Sequence, residues 1–333
     1  MSEQTKMAQH EDLAIVIPVW NIPKDLAFLL AQISRINIFS EVIVCDDASD
    51  IDCNPENLGF TSETLGAHLT YLWSPEQRGA GAARNVGLAA VKAKNVLFFD
   101  ADDHLSENLP LIWQRHIRDK IPDFTIFRHA DSRILDTERR EASFVADERQ
   151  WEIALGENDE RLLDREQSAH LCTISAYPWN KIYRTDFLRS QKIYCSETPV
   201  HNDIRLHWLS FLKARSILAV RKIGAIHIVG ERDRHLTTRR GEDRLCINEI
   251  LEDLTNSIRR NQSDVIFMRH FIYFVDIICR WNLNHVDDDI LDRFIELTMT
   301  AYLRFHPDEF RVFALWQPKK AEEIVKFLLR EGV

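Results

Sequence analysis

The strongest constraint on the fold is a series of apolar segments that alternate with helix-forming segments over the first hundred residues. The apolar segments are rich in β-branched and aromatic residues: LAIVIPV (13–19), EVIVCD (41–46), HLTYLW (68–73) and NVLFFD (95–100). Continuous apolar runs of this kind are typical of strands that are covered on both faces. Pro23 begins a helical segment after the first strand, and the small-residue segment 80–93 predicts a helix before the fourth. Repeated strand–helix–strand units predict an α/β fold around a mostly parallel sheet.

Several of these strands are followed by polar residues. Asn21 follows the first strand, Asp46 and Asp47 end the second, and DADD (100–103) ends the fourth. The carboxyl ends of parallel strands lie at one edge of a sheet, and ligands bind beyond that edge. We therefore expect the functional site there.

The glycine-bearing segment GAGAAR (79–84) is close to a dinucleotide-binding loop. Such a loop follows the first strand and has a small residue at its sixth position. Here the segment follows the third strand, and its sixth residue is Arg84. The carboxylates at 100–103 would also repel a pyrophosphate unless a cation lay between them. Hydride transfer with a nicotinamide cofactor is therefore disfavoured.

Two interpretations of residues 79–84 stay open. A helix that starts near Gly81 directs free N–H groups outward, which suits an anion, and Arg84 could bind phosphate oxygens with both arms of its guanidinium. In the alternative, the small residues let the helix pack tightly on the sheet, and Arg84 forms a solvated ion pair.

The aspartates at 100–103 favour a cation. Two negative charges ~4 Å apart repel by roughly 4 kcal/mol at an effective dielectric near 20. A divalent cation with oxygen ligands would relieve this repulsion and could bridge to a diphosphate. The alternative is a solvated turn that caps the helix after Ser106.

Beyond residue 112 the alternation loosens. We predict a hairpin from DFTIFRHA (123–130) and SRILD (132–136), a helix over 202–214, and short strands SILAV and GAIHIV (216–220 and 224–229). Helical periodicity then continues to the end of the chain, over 245–260, 264–282, 287–304 and 318–330. The pattern divides the chain into 1–112, 113–241 and an all-helical region at 242–333.

Composition limits the function classes. The net charge of -10 argues against broad binding of nucleic acid, which requires a basic face. The six cysteines lack CxxC spacing, which indicates unpaired thiols in a reducing cytosol.

We predict no signal peptide and no membrane-spanning segment. The most apolar segment, VIFMRHFIYFVDII (265–278), carries charges and predicts a buried amphipathic helix, with a peripheral membrane face as the alternative. We expect a cytoplasmic location, the inner face of the cell membrane being the alternative.

An ordered set of motifs between residues 12 and 240 resembles the inverting family 2 glycosyltransferases of the GT-A fold. The matching segments are IVIPVWN (15–21), EVIVCDDASD (41–50), GAGAARNVGL (79–88), LFFDADD (97–103), PWNKIYRTDFL (178–188), the pair Asn202-Asp203 and RHLTT (234–238). The resemblance implies a Rossmann-like sheet whose nucleotide-sugar half is 1–112 and whose acceptor half is 113–241. The helical region 242–333 lies outside it.

The resemblance also implies roles for residues on the donor side. Pro18, Asp47 and Arg84 would line the nucleotide pocket, with Asp47 at the base or ribose and Arg84 on the phosphate side. Asp100 and Asp102 would form the D-x-D element. Asp102 would ligate Mn²⁺ or Mg²⁺, while Asp100 contacts the ribose or supports the metal.

On the acceptor side, the resemblance makes Asp203 the general base. Spacing alone leaves open that Asp203 only caps the following helix. Trp179 and Lys181 would shape the acceptor and diphosphate side. Arg234 and His235 would lie on a loop over the phosphates, where His235 either completes the metal site or is an ordinary surface histidine.

The expected function is metal-dependent transfer of a sugar, with inversion, from a UDP-sugar to an acceptor hydroxyl in surface polysaccharide synthesis. The expected acceptor is a saccharide or a lipid-linked saccharide. Three roles stay open for the helical region: self-association, docking on a membrane surface and binding of a partner. One departure from the family pattern is Asn202, where a glutamate is usual. The alternative functions are a sugar-phosphate nucleotidyltransferase and a non-catalytic scaffold that binds nucleotide sugars.

Overall fold

A computed structural model describes residues 12–118, 121–138, 141–229 and 239–330. Their strands form one nine-stranded sheet. The strands are β1 (Leu13–Val19), β2 (Glu41–Asp46), β3 (His68–Trp73), β4 (Asn95–Phe98), β5 (His104–Leu105), β6 (Phe124–Asp131), β7 (Glu160–Leu162), β8 (Lys181–Arg184) and β9 (Ile217–His227).

Helices flank this sheet and form the C-terminal part of the chain. Up to residue 213 the α-helices are α1 (Pro23–Ile36), α2 (Ser62–Leu65), α3 (Ala80–Ala90), α4 (Leu109–His116), α5 (Ser132–Glu138), α6 (Val145–Leu155), α7 (Arg165–Leu171), α8 (Thr185–Ser190) and α9 (Ile204–Lys213). The C-terminal α-helices are α10 (Ile247–Arg259), α11 (Val265–Leu283), α12 (Asp288–Leu303), α13 (Pro307–Trp316) and α14 (Pro318–Leu328).

The sheet is mostly parallel, as predicted. Its order is β3-β2-β1-β4-β8-β6-β9-β5, and β7 pairs with β9. Strands β3, β2, β1 and β4 are mutually parallel, and β8 lies antiparallel between β4 and β6. Because β6 and β9 are parallel, both also run in the direction of β4. The carboxyl ends of β1, β2, β3, β4, β6 and β9 therefore lie at one edge.

Both faces of the sheet are covered. All of β1 is buried; its Ile15 and Ile17 face the core under α1, whereas Val16 faces the core on the side of α3. A Cβ on Gly87 would come within 2.3 Å of Val16 Cγ1, so α3 packs directly against the sheet. The small-residue composition of this helix is thus explained by close packing.

The C-terminal helices share the core on the α3 side of the sheet. Phe271 and Leu254 are fully buried in the same cluster as Val16. The predicted helical region is confirmed, and α13 is an additional helix within it. Within the described ranges, no helix is both long and apolar enough to span a bilayer. All six cysteines are free thiols, as predicted.

The predicted hairpin at 123–136 is wrong. Its first half is β6, but 132–138 is the helix α5. The backbone N–H of Arg133 donates to Asp131 Oδ1 at 3.0 Å, so the carboxylate that ends β6 starts the helix. The two predicted short strands of the next region are one strand, β9. The hairpin was predicted wrongly because β6 pairs with β8 and β9, which are remote in sequence. The single strand β9 was predicted as two because it continues through a register shift opposite Phe127 and Arg128.

Candidate active site

The acidic turn after β4 lies at the carboxyl edge of the sheet. The side chain of Asp100 is 26% exposed, Asp102 is partly exposed, and Asp103 is buried. Asp103 Oδ1 accepts a hydrogen bond from the backbone N–H of Ile228 at 2.8 Å. Burial, followed by the charges of Asp102 and Asp100, raises the pKa of Asp103 well above its usual value. Asp100 and Asp102 are the two partly exposed carboxylates of the turn, and carboxylate oxygens are the ligands that Mg²⁺ and Mn²⁺ prefer.

Arg84 bridges this turn to the other half of the site. Its Nη2 donates to the Asp100 carboxylate, and its Nη1 donates to Asn202 Oδ1 at 2.7 Å. Burial alone would lower the pKa of Arg84, but the carboxylate of Asp100 raises it above its usual value. The alternative of an ion pair is thus confirmed in part: Arg84 pairs with Asp100, but at 4% exposure the pair is buried and not solvated.

Asp203 follows Asn202, at the other end of this bridge from Asp100. It occupies the N-cap position of α9, but its side chain makes no capping hydrogen bond, so helix capping does not explain it. Burial raises the pKa of Asp203 to about 6, although the charges of Arg84 and Lys181 act in the opposite direction. A partly desolvated carboxylate beside two cations has the properties of a general base that works near neutral pH.

The anion at the start of α3 is a side chain of the protein. The Asp47 carboxylate accepts hydrogen bonds from the backbone N–H groups of Arg78 and Gly79, at 2.8 and 2.6 Å. The helix start is also covered by segment 195–202, because a Cβ on Gly81 would lie 2.0 Å from the carbonyl oxygen of Ser196. Gly81 therefore permits close packing, and this helix end is not an open anion site.

A shallow, open pocket lies beside Asp47, between the ends of β2 and β3 and the helix α3. Its lining residues are Cys45, Asp46, Asp47, Leu72, Trp73, Ser74, Arg78, Ala82, Ala83 and Val86. Pro18 is buried on β1 and is the register partner of Cys45. The pocket combines an apolar floor, an indole at the rim and carboxylates, which suits a flat heterocycle with polar edges.

Lys181 begins β8 and is fully buried. Its Nζ donates to the carbonyl oxygen of Tyr177 at 2.7 Å and to Asn180 Oδ1 at 2.6 Å. Burial lowers the pKa of Lys181 to about 7. The predicted phosphate-side residues Arg234 and His235 lie outside the described residues.

The structure adds a polar cluster at the ends of β6 and β9 that the sequence analysis missed. The buried Asp131 accepts hydrogen bonds from Arg133 at 2.7 and 2.8 Å and lies 3.1 Å from His227 Nδ1. Burial alone would raise the pKa of Asp131, but these two partners lower it below its usual value. Tyr177 is 3.3 Å from the same His227 nitrogen and stacks on Trp179. Asp131 ends a buried parallel strand, so the rule that identified 100–103 would also have found it.

A second group of metal-ligand types lies on α7 and α11. Glu166, His170 and His270 are close enough to share an ion. However, the Arg269 guanidinium donates to Glu166, and its Nε is 3.3 Å from His270 Nε2. Arg269 thus already provides a cation at this position.

The match to a known family covers Asp47, Arg84 and the turn at 100–103, and ends before Asn202 and Asp203. Residues 14–177 match the family model described as glycosyl transferase family 2. Proteins from two strains of Mycobacterium tuberculosis, each named pre-mycofactocin glycosyltransferase, are 38% identical over 95 residues. This alignment covers 28% of the present chain and 18% of each relative, so it spans about a fifth of the relatives' length.

Solved structures share the fold across nearly the whole chain. The crystal structure of S. aureus TarS 1–349 with UDP-GlcNAc has a TM-score of 0.73 at 16% identity, and covers 96% of this chain and 92% of that one. The mannosyltransferase PcManGT from Pyrobaculum calidifontis, with GDP-Man and Mn²⁺, has a TM-score of 0.54 at 13% identity, with coverages of 97% and 87%.

Proposed function

Because the chain belongs to glycosyl transferase family 2 through residues 14–177, we propose that it is a metal-dependent, inverting glycosyltransferase. It moves a sugar from a UDP-sugar to an acceptor hydroxyl. The observation that carries this proposal is the bridge from Arg84 to Asp100 and Asn202. The buried guanidinium of Arg84 thus lies between the acidic turn at 100–103, which could hold a cation, and Asp203, which could act as the general base.

The donor would lie along the carboxyl edge of the sheet. The pocket beside Asp47 supports a place for its base, and Arg84 with the turn at 100–103 supports a place for its diphosphate. TarS has been crystallised with UDP-GlcNAc and with UDP, which supports uracil as the base of the donor. PcManGT has been crystallised with GDP-Man and Mn²⁺, which supports a metal in this fold.

Asp102 and Asp100 would hold Mn²⁺ or Mg²⁺. When bound, the ion supplies positive charge that stabilises the leaving diphosphate as the sugar–oxygen bond breaks. Arg84 already carries a fixed charge at the same edge and needs no reorganisation to act on a developing anion.

Asp203 would take the proton from the acceptor hydroxyl. With a pKa of about 6 it is mostly ionised at pH 7, yet basic enough to accept a proton in the transition state. The hydroxyl then attacks the sugar from the face opposite the diphosphate. A single displacement of this kind inverts the configuration at the anomeric carbon.

The acceptor would lie against Tyr177 and His227, which are partly exposed, whereas Trp179 is buried and stacks on Tyr177 from the inside. Aromatic faces of this kind suit a saccharide, and we propose a saccharide or lipid-linked saccharide of a surface polysaccharide. Leu303 and Leu315, on α12 and α13, are 69% and 82% exposed. They support contacts of the C-terminal helices with a second copy or with a membrane surface.

The test is to incubate the protein with Mn²⁺ and a panel of UDP-sugars and to identify the released product. We expect UDP, released by transfer to water or to added saccharides, and loss of release in Asp203→Asn. Release of pyrophosphate would instead identify a nucleotidyltransferase. Donor binding without turnover, unchanged in Asp203→Asn, would identify a non-catalytic scaffold.

A further inference from the structure

Two hydrogen bonds, one on each side, fix the orientation of the Arg84 guanidinium. One arm binds Asp100, after β4, and the other binds Asn202, before α9. Arg84 and Asn202 are 4% and 5% exposed, so bulk water competes little for these hydrogen bonds. The contact joins residues 118 positions apart in sequence.

Asn202 is itself held rigidly. Its carbonyl oxygen accepts a hydrogen bond from Ser196 N at 2.9 Å, and a Cβ on Gly81 would come within 2.9 Å of its own Cβ. The preceding His201 has a left-handed backbone with φ of 58°, and its Nε2 lies 3.0 Å from Asn282 Oδ1. The side-chain oxygen of Asn202 is therefore a fixed acceptor for Arg84.

The Asn202 amide accepts this hydrogen bond without adding a charge. The formal charges of Arg84, Asp100 and Asn202 sum to zero, whereas a carboxylate at position 202 would make the sum negative. Such a carboxylate would also stand directly beside Asp203. Buried charges of one sign act strongly on each other and on an approaching anion.

We propose that Asn202 is a positioning residue whose neutral amide orients Arg84 and keeps this edge of the site from repelling the donor diphosphate. The inference rests on the function proposed above. It predicts that a negative charge at position 202 weakens the binding of ligands that carry phosphates and leaves the binding of ligands without phosphates unchanged.

The experiment compares UDP with uridine by isothermal titration calorimetry in buffer with Mn²⁺. Asn202→Asp keeps the shape of the side chain and adds one negative charge. We expect about tenfold weaker UDP binding, the effect of one charge roughly 10 Å from a phosphate at an effective dielectric near 20. Uridine binding should change less than about twofold, and the thermal unfolding midpoint should show that the variant is folded.

Asn85→Asp is the matched control. Asn85 adjoins Arg84 on α3, but its side chain binds the backbone of Cys195 and the carboxylate of Glu197 and not the guanidinium. Since the new carboxylate would face Glu197, the thermal unfolding midpoint of this control is measured as well. It adds the same charge without replacing the Arg84 partner, so UDP binding should weaken clearly less than in Asn202→Asp. If Asn202→Asp does not fold, Asn202→Ala decides. It removes the acceptor without a charge and should weaken UDP binding a few-fold while uridine binding is kept.

Unchanged UDP affinity in the folded variant would overturn the inference. An equal loss of UDP and uridine affinity would overturn it as well, since it would show a distorted pocket and not an electrostatic effect. If the wild-type protein binds no UDP, the proposed function fails, and this inference fails with it.

Discussion

Replacing Asp203 with asparagine should stabilise the folded protein while it removes activity. Burial raises the pKa of Asp203 from 3.8 to about 6. Each pKa unit corresponds to about 1.4 kcal/mol, so a shift of roughly two units amounts to about 3 kcal/mol. The side chain is partly exposed, and solvent screening reduces this figure. We therefore expect a gain of about 1–3 kcal/mol in the free energy of unfolding at pH 7.5.

The sign of the effect follows from the two pKa values. In the unfolded chain Asp203 ionises near its usual value of 3.8, whereas in the folded protein it keeps its proton up to about pH 6. Its ionisation therefore destabilises the folded state increasingly from about pH 4 to pH 6 and fully above that. Asparagine has no charge, so the gain should be large at pH 7.5 and less than half as large at pH 4.5.

The assay is urea-induced unfolding of wild-type and Asp203→Asn protein at the two pH values. Asp186→Asn is the control, since Asp186 is exposed in the first turn of α8, and it should change stability by less than about 0.5 kcal/mol. Loss of a general base should lower transfer about 10²- to 10⁴-fold. A variant that is less stable than the wild type at pH 7.5, or equally stabilised at both pH values, would refute the reasoning.

Three further predictions concern other parts of the molecule. Asp102→Asn should abolish the Mn²⁺-dependent increase in thermal stability produced by UDP, and an unchanged increase would remove Asp102 from the metal site. Gly81→Ala should cost about 1–3 kcal/mol in urea unfolding, because its Cβ would lie 2.0 Å from the Ser196 carbonyl oxygen; a neutral substitution would contradict the described packing. Asp276→Ala should cost about 3–5 kcal/mol by the same measurement, because the buried carboxylate binds Arg280, Tyr302 and Lys320. UDP binding by the folded fraction should survive that change, and its loss would show that the C-terminal helices support the site.

The local pattern of the sequence sufficed for the parallel half of the fold. Strands β1, β2 and β4 are continuous apolar runs that end in polar residues, and the rule for parallel sheets then places 100–103 at the ligand edge. The four residues of β8 carry no such pattern, yet they lie between β4 and β6. Because β6 pairs with the remote strands β8 and β9, it does not need SRILD as a hairpin partner, and SRILD forms the helix α5 after Asp131.

The sequence allowed the residue types of the candidate site to be predicted, but not most of the contacts that these residues make. The family resemblance implies that Arg84 lies on the phosphate side of the pocket, but its burial between Asp100 and Asn202 depends on two segments that meet in space. Likewise the glycine at position 81 suggested an open helix end. The close approach of segment 195–202, which gives this glycine its role, is visible only in three dimensions.

The central claim is that the aspartates after β4 hold a cation against the donor diphosphate, beside Arg84 and across from Asp203. Crystals grown with UDP and Mn²⁺ test it directly through the anomalous signal of manganese. We predict one manganese peak within coordinating distance of an Asp102 oxygen and of the diphosphate. UDP bound in the crystal with no manganese at Asp102, or with its phosphates away from the turn at 100–103, would contradict the account.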